Sequence, residues 1–252
     1  MLLNAWKDNP ALSRVPSPWR VLSSALLLAF LSFAARELNS SSWNAGGVTI
    51  LWATNGLLMG ILLCNPKRHW PLYLAVAAVI DVFVNRSMGS PLHIAWYLSA
   101  CNLAEATIGA LLLYETISPK PDLTQRKQLV AFLAYGVVLA PLLASFAASF
   151  AQSGYFAPPT FFNVQRWFAA DALGIATVTP LYLAFQGKER FGGRPWLEIV
   201  GLFALLLGVT WIVCWQSRFP LLFVVLPFLL LLGLRFRLAG SALGLLLVAI
   251  IG

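Results

Sequence analysis

From Trp19 to Gly252 the chain is a succession of apolar runs long enough to cross a hydrocarbon core of ~30 Å, joined by connections too short to fold by themselves. Inside a bilayer every backbone amide must find a partner within the protein, so such runs become helices packed side by side. Composition agrees: of 252 residues, 60% are hydrophobic and 10% charged, and mean hydropathy is +0.79, whereas a soluble domain carries about 25% charged residues. The expected fold is all-α, a polytopic transmembrane bundle of about eight to nine helices. A cytoplasmic segment 1–18 precedes one integral membrane domain over 19–252.

Apolar length and loop punctuation place helices near 19–37, 48–64, 70–85, 91–114, 128–152, 163–186, 196–216, 219–233 and 238–252. Breakers fill the connections, as in "NPKRHWP", "NRSMGSP" and "QGKERFGGRP". Lys and Arg test this count independently, because they concentrate in cytoplasmic loops. Lys7, Arg14, Arg20, Lys67, Arg68, Lys120, Arg126, Lys127, Lys188, Arg190, Arg194, Arg235 and Arg237 fall on one side. Only Arg36, Arg86, Arg166 and Arg218 fall on the other, so the N-terminus is expected in the cytoplasm. The net charge of +8 is thereby a matter of orientation, and a nucleic-acid partner is rejected. "VLSSALLLAFLSFAA" also fits a signal-peptide core, but the polar stretch before it is long for an n-region, which favours an uncleaved first span.

Cys64, Cys101 and Cys214 are scattered through apolar segments and read as packing residues. Neither His69 nor His93 has a second histidine at ligand spacing, and no phosphate loop or nucleophile–base pair is visible. This segment is accordingly read as no enzyme, with no metal and no cofactor. Trp19, Trp43, Trp70 and Trp196 suit interfacial anchors, and Pro141, Pro180 and Pro227 are expected to kink their helices.

The informative residues are the polar ones inside the apolar runs. A carboxylate in hydrocarbon costs roughly 2.5 kcal/mol or more even on the mildest insertion scale, so Asp171 in "RWFAADALGIATVTPLYLAF" requires a partner, water or a task. Trp167, Asp171 and Gly174 share a helix face; Trp52, Asn55, Gly56 and Gly60 form a stripe whose G-x-x-x-G spacing admits a second backbone. Asn102 and Glu105 lie at i and i+3 of another helix, and Asp81 sits near the outer end of the third, close enough to the interface to be solvated. Trp52, Asn55, Asp81, Asn102, Glu105, Trp167 and Asp171 are therefore the candidate ligand-binding or signalling set. Arg36, Arg86 and Arg166 stand around its outer rim as counter-ions or anion receptors. The plain alternative is that these groups are interhelical hydrogen-bond partners worth about 0.6 kcal/mol each.

"LWATNGLLMGILL", "HWPLYLAVAAVIDVFVN", "CNLAEATIGALLL" and "RWFAADALGIATVTPLYL" resemble, in order and spacing over Leu51 to Leu183, the first family of membrane-associated sensor domains of bacterial signalling proteins. Trp52 and Gly56, Trp70 and Pro71, Asn102 and Glu105, and Trp167, Asp171, Leu173 and Gly174 match the family pattern. Ala53 and Asp81 depart from it, standing where Pro and Asn are common. The resemblance implies a sensory input domain in the bacterial inner membrane. It would govern a cytoplasmic diguanylate cyclase, cyclic-di-GMP phosphodiesterase or histidine kinase, and homodimerise through that output. Its partners would be the lipid bilayer and a ligand or membrane partner of unknown identity. A small transporter or substrate-binding membrane subunit is the alternative. The segment 238–252 covers about 22 Å as a helix, short of the hydrocarbon core, so the native chain is expected to continue past Gly252 into the output.

Overall fold

The computed structural model describes residues 17–44, 52–117, 120–153, 161–186, 194–215 and 221–251, and among these every regular element is helical. In chain order they are α1 (Pro18–Asn44), α2 (Ala53–Cys64), α3 (Trp70–Ser87), α4 (Leu92–Thr116), α5 (Arg126–Ala131), α6 (Ala140–Ser153), α7 (Phe161–Phe185), α8 (Trp196–Trp215) and α9 (Leu226–Ile251). A π-helical stretch, Phe132–Leu139, fuses α5 and α6 into one span. Among the described residues six helical stretches are long and apolar enough to cross a membrane, which makes the chain a multi-pass membrane protein; the sixth of them, α9, is divided at Arg237 into two shorter arms, and α2 and α3 complete the bundle. Lys7, Arg14, Lys188, Arg190, Arg218, Gly252 and the side chain of Trp43 lie outside the described residues.

The centre of the bundle is α2. All of its residues from Ala53 to Leu63 are buried, so it has no lipid face. Its helix begins at Ala53, five residues later than the apolar run suggests, and the preceding Trp52 gives its backbone N–H to the Ala170 carbonyl at 3.2 Å. Alongside runs α7, pressed close because glycine removes the side chains between them. A Cβ at Gly56 would lie 2.5 Å from the Gly174 carbonyl oxygen, and one at Gly174 would lie 2.1 Å from that of Trp52. Gly60 meets Tyr182 two turns further on. Thr179 Oγ1 then donates across the seam to the Gly56 carbonyl at 2.7 Å.

The α2–α3 corner explains the Trp70-Pro71 pair. The last carbonyls of a helix have no partner within it. The Trp70 indole N–H donates to the carbonyls of Leu62 and Asn65, while Pro71 occupies the first turn of α3, where no N–H is needed. Trp70 is therefore buried and holds the corner, correcting the expectation of an interfacial anchor; Trp19 and Trp196 stay exposed at helix starts.

The three prolines expected to kink their helices stand in different settings. α7 runs unbroken through Pro180, and Pro227 lies in the first turn of α9, where proline is tolerated. Pro141 follows directly on the π-helical stretch, the widened turn accommodating a ring that would collide with a carbonyl one turn back. The break in α9 falls instead at Arg237, whose φ of 56° and ψ of −145° are not helical. Beyond it the chain reverses: Gly244 packs on Leu229 and Leu232, and Gly233 on Ser241. Residues 229 and 244 would stand ~22 Å apart along a straight helix. The expected pair of short segments is thus a tight hairpin, with Leu238 and Leu246 of its second arm packed on the central core.

Several basic residues make contacts between helix ends. Lys67 pairs with Glu115 at one end of the bundle, and Arg235 Nε lies 3.3 Å from Glu198 Oε1 across α8 and α9. At the opposite end Arg36 reaches the Ser87 carbonyl at 3.4 Å.

Candidate functional site

Asn55, Asp81, Asn102, Glu105 and Asp171 come from four helices and meet in the interior. Asn55 lies in the first turn of α2, which the glycine seam draws between α4 and α7. Its Nδ2 donates to Glu105 Oε2 at 2.9 Å and, more weakly, to Asn102 Oδ1 at 3.4 Å. Asn102 in turn donates to both carboxylate oxygens of Asp81, at 3.3 and 3.1 Å. On the far side of Glu105 the Asp171 carboxyl lies within hydrogen-bonding reach. One continuous chain of polar groups therefore runs Asp171–Glu105–Asn55–Asn102–Asp81 through α7, α4, α2 and α3.

Burial is complete. Relative exposure is 0% for Glu105, 1% for Asp171 and 2% for Asp81. Asp81 is thus not solvated at the interface, contrary to its position near a helix end: α4 covers it, Ser99 stands beside it and Asn85 adds a hydrogen bond at 3.2 Å. Asn85 and Ser99 were not in the sequence-derived set. Asn85 follows Asp81 at i+4 and is marked by that spacing alone, while Ser99 carries no signal distinguishing it from a small packing residue.

The two tryptophans flank the chain without joining it. Trp52 packs with Ala35, Val84 and Ala170, and its buried Nε1 has no hydrogen-bond partner. Trp167, half-buried, packs on Leu98, Cys101 and Ala148 of α4 and α6. The rim arginines do not reach the interior acids by any ion pair among the described residues. Arg36 pairs with its neighbour Glu37, Arg86 donates to the Ser90 carbonyl at 2.6 Å, and Arg166 lies over the Phe162 ring. Among the described residues no three His, Cys, Asp or Glu side chains converge as metal ligands.

Hydrogen-bond direction gives this arrangement its chemistry. Each amide presents N–H₂ on one side and a carbonyl on the other, so the sense in which Asn55 and Asn102 point is fixed by the acids at the two ends. Reversing one donor requires its neighbour to turn as well.

The sequence model of the MASE1 family matches residues 21–251. Comparison with curated proteins and with solved structures returned no match. The residues that carried the family resemblance are those now seen in contact: Trp52 against Gly174, Gly56 against the same turn of α7, Trp70 capping α2, and Asn102, Glu105 and Asp171 in the buried chain. The match spans nearly the whole chain, and the protein belongs to the MASE1 family of membrane sensory domains.

Proposed function

We propose that this chain is the input domain of a bacterial inner-membrane signalling protein. A stimulus acting on the half of the bundle that holds Asp171 and Asp81 reverses the donor order of the buried chain. The change in α2–α7 packing is then passed to a cytoplasmic module that makes or degrades cyclic di-GMP or acts as a histidine kinase. The observation that carries this reading is the continuity of the polar chain across four helices. Five polar groups buried together exceed what anchoring demands, and an intramembrane acid is by default a functional one. Signalling needs only two packings a few kcal/mol apart and a stimulus with different affinity for each.

Glu105→Gln and Asp171→Asn keep the shape and the capacity to hydrogen-bond while removing the charge. In the full-length protein both are expected to insert normally and to change output at least several-fold. Normal insertion with unchanged output in both would reduce the chain to structural glue. Orientation is tested alongside: a cysteine at the exposed Ser87 should react with an impermeant reagent added outside the cell, and one at the exposed Thr124 should not. One feature favours a transporter as second reading, the short helix α2 that begins within the bundle, as discontinuous helices do at transport sites. Solute accumulation in vesicles, abolished by Asp171→Asn, would decide for it.

A further inference from the structure

Three acids enter the buried chain, and donors are distributed among them unevenly. Asp81 receives amide hydrogens from Asn102 and Asn85. Glu105 receives one, from Asn55, on Oε2. Its second oxygen, Oε1, and Oδ2 of Asp171 are sealed from water and have no donor, on residues 0% and 1% exposed. Yet these two carboxyl groups are in hydrogen-bonding reach of each other. Two carboxylates so placed, with no donor between them, repel in surroundings that screen little. A single proton turns that repulsion into an O–H···O⁻ bond of the short, charge-assisted kind.

We propose that Glu105 and Asp171 form a proton-binding site, with one proton held between their unpartnered oxygens, and that this proton is the stimulus the domain reads. The second half rests on the sensory function proposed above. A metal ion would need several oxygens arranged around it, whereas Asp81 is turned away into its own pair of amides and, among the described residues, no third acid converges on the pair. A proton needs neither a cavity nor a further ligand.

Among the described residues no ion pair joins Glu105 or Asp171 to a basic side chain. α3 contributes Asp81, α4 contributes Cys101 and Tyr97, α2 contributes Asn55 and Trp52, and α6 contributes the neutral Ser145 and Ser149. The π-helical stretch carries Tyr135, and Arg235 of α9 is paired with Glu198 of α8. Loss of the proton leaves two facing carboxylates on α4 and α7. Asp171 precedes by three residues Gly174, where any Cβ would strike the Trp52 carbonyl, so pushing α7 from α4 disturbs the α2–α7 seam directly.

The test uses the full chain in lipid nanodiscs, with Glu105→Gln and Asp171→Asn. In either variant the amide N–H donates to the remaining carboxylate, standing for the protonated state without titrating. The folded wild type holds one proton that the unfolded chain lacks at neutral pH, so stability falls as pH rises. A wild-type melting midpoint that drops by several degrees from mildly acidic to mildly alkaline buffer is expected, with a nearly flat response in both variants. Infrared difference spectra between the two buffers should show a protonated-carboxyl band in the wild type that each variant loses. A flat wild-type response, or a band and slope unchanged in both variants, overturns the shared proton. Failure of both variants to fold at any pH overturns it too, since an amide would then not replace the protonated acid. Stabilisation on exchanging choline for sodium at fixed ionic strength, without a response to acid, transfers the site to a metal ion. A shared proton confirmed by these measurements, in a protein whose output ignores external pH, leaves the site standing and overturns its sensory role.

Discussion

α7 and α8 are consecutive helices of similar length, and α8 is the more apolar, yet protein buries half of the α7 span and only Phe203, Leu206, Thr210 and Val213 of α8. Lipid satisfies a leucine as well as another helix does, so hydrophobicity brings a segment into the membrane without bringing it to the centre. What draws α7 inward is what would be out of place in lipid: Gly174, Thr177, Thr179 and Asp171, each buried against a neighbour or its own backbone. α8 carries glycines too, but a Cβ at Gly201 or Gly208 would meet nothing within 4 Å.

The contrast breaks most visibly at those glycines. Gly174→Ala would drive a methyl group into the Trp52 carbonyl, a backbone atom that cannot step aside, and is expected to cost more than about 4 kcal/mol or to abolish folding. Gly208→Ala should be neutral or stabilise by up to ~1 kcal/mol through helix propensity. Reversible unfolding in micelles measures both, and equal losses at the two sites would erase the distinction between the helices.

A smaller effect sharpens it. Thr179 donates across the seam to Gly56, whereas Thr210 donates only to Leu206 in its own helix, at 2.8 Å. Thr179→Val should cost about 1 kcal/mol and Thr210→Val less than about 0.5 in the same assay. A larger loss at Thr210 would place hidden importance on α8. Smallest is the ion pair of α8 with α9. Arg235 and Glu198 are 3.3 Å apart, with side chains 48% and 25% exposed and without hydrogen-bond alignment at Glu198 Oε1. Glu198→Gln should change stability by less than about 1 kcal/mol, and added salt should remove the difference.

The polar chain was legible because each of its members is costly in an apolar run: Asn55, Asp81, Asn102, Glu105 and Asp171 stand out in the sequence one by one. So was the Gly56–Gly60 spacing, although nothing in it names α7 as the partner or Gly174 as the contact. The reversal at Arg237 was readable from the basic pair that interrupts two short apolar segments. Illegible were the features that depend on a neighbour's position. Asp81 lies near a helix end in sequence but under α4 in space, and Trp70 looks like an anchor until its indole meets the end of α2. The widened turn before Pro141 has no local signature beyond the proline itself.

The complete burial of α2 also sets an order of assembly. About 120 positions separate Gly56 from Gly174, and at ~5–20 residues synthesised per second the second helix waits roughly 6 to 24 s for its principal neighbour. In that interval Ser32 of α1 can cover Thr54 through their 3.0 Å hydrogen bond, and α4 can receive Asn55, but the glycine face of α2 is open to lipid and to any other passing helix. A nascent chain halted before α7 therefore carries an unfilled groove in the membrane, the kind of surface that insertion chaperones hold and membrane proteases recognise.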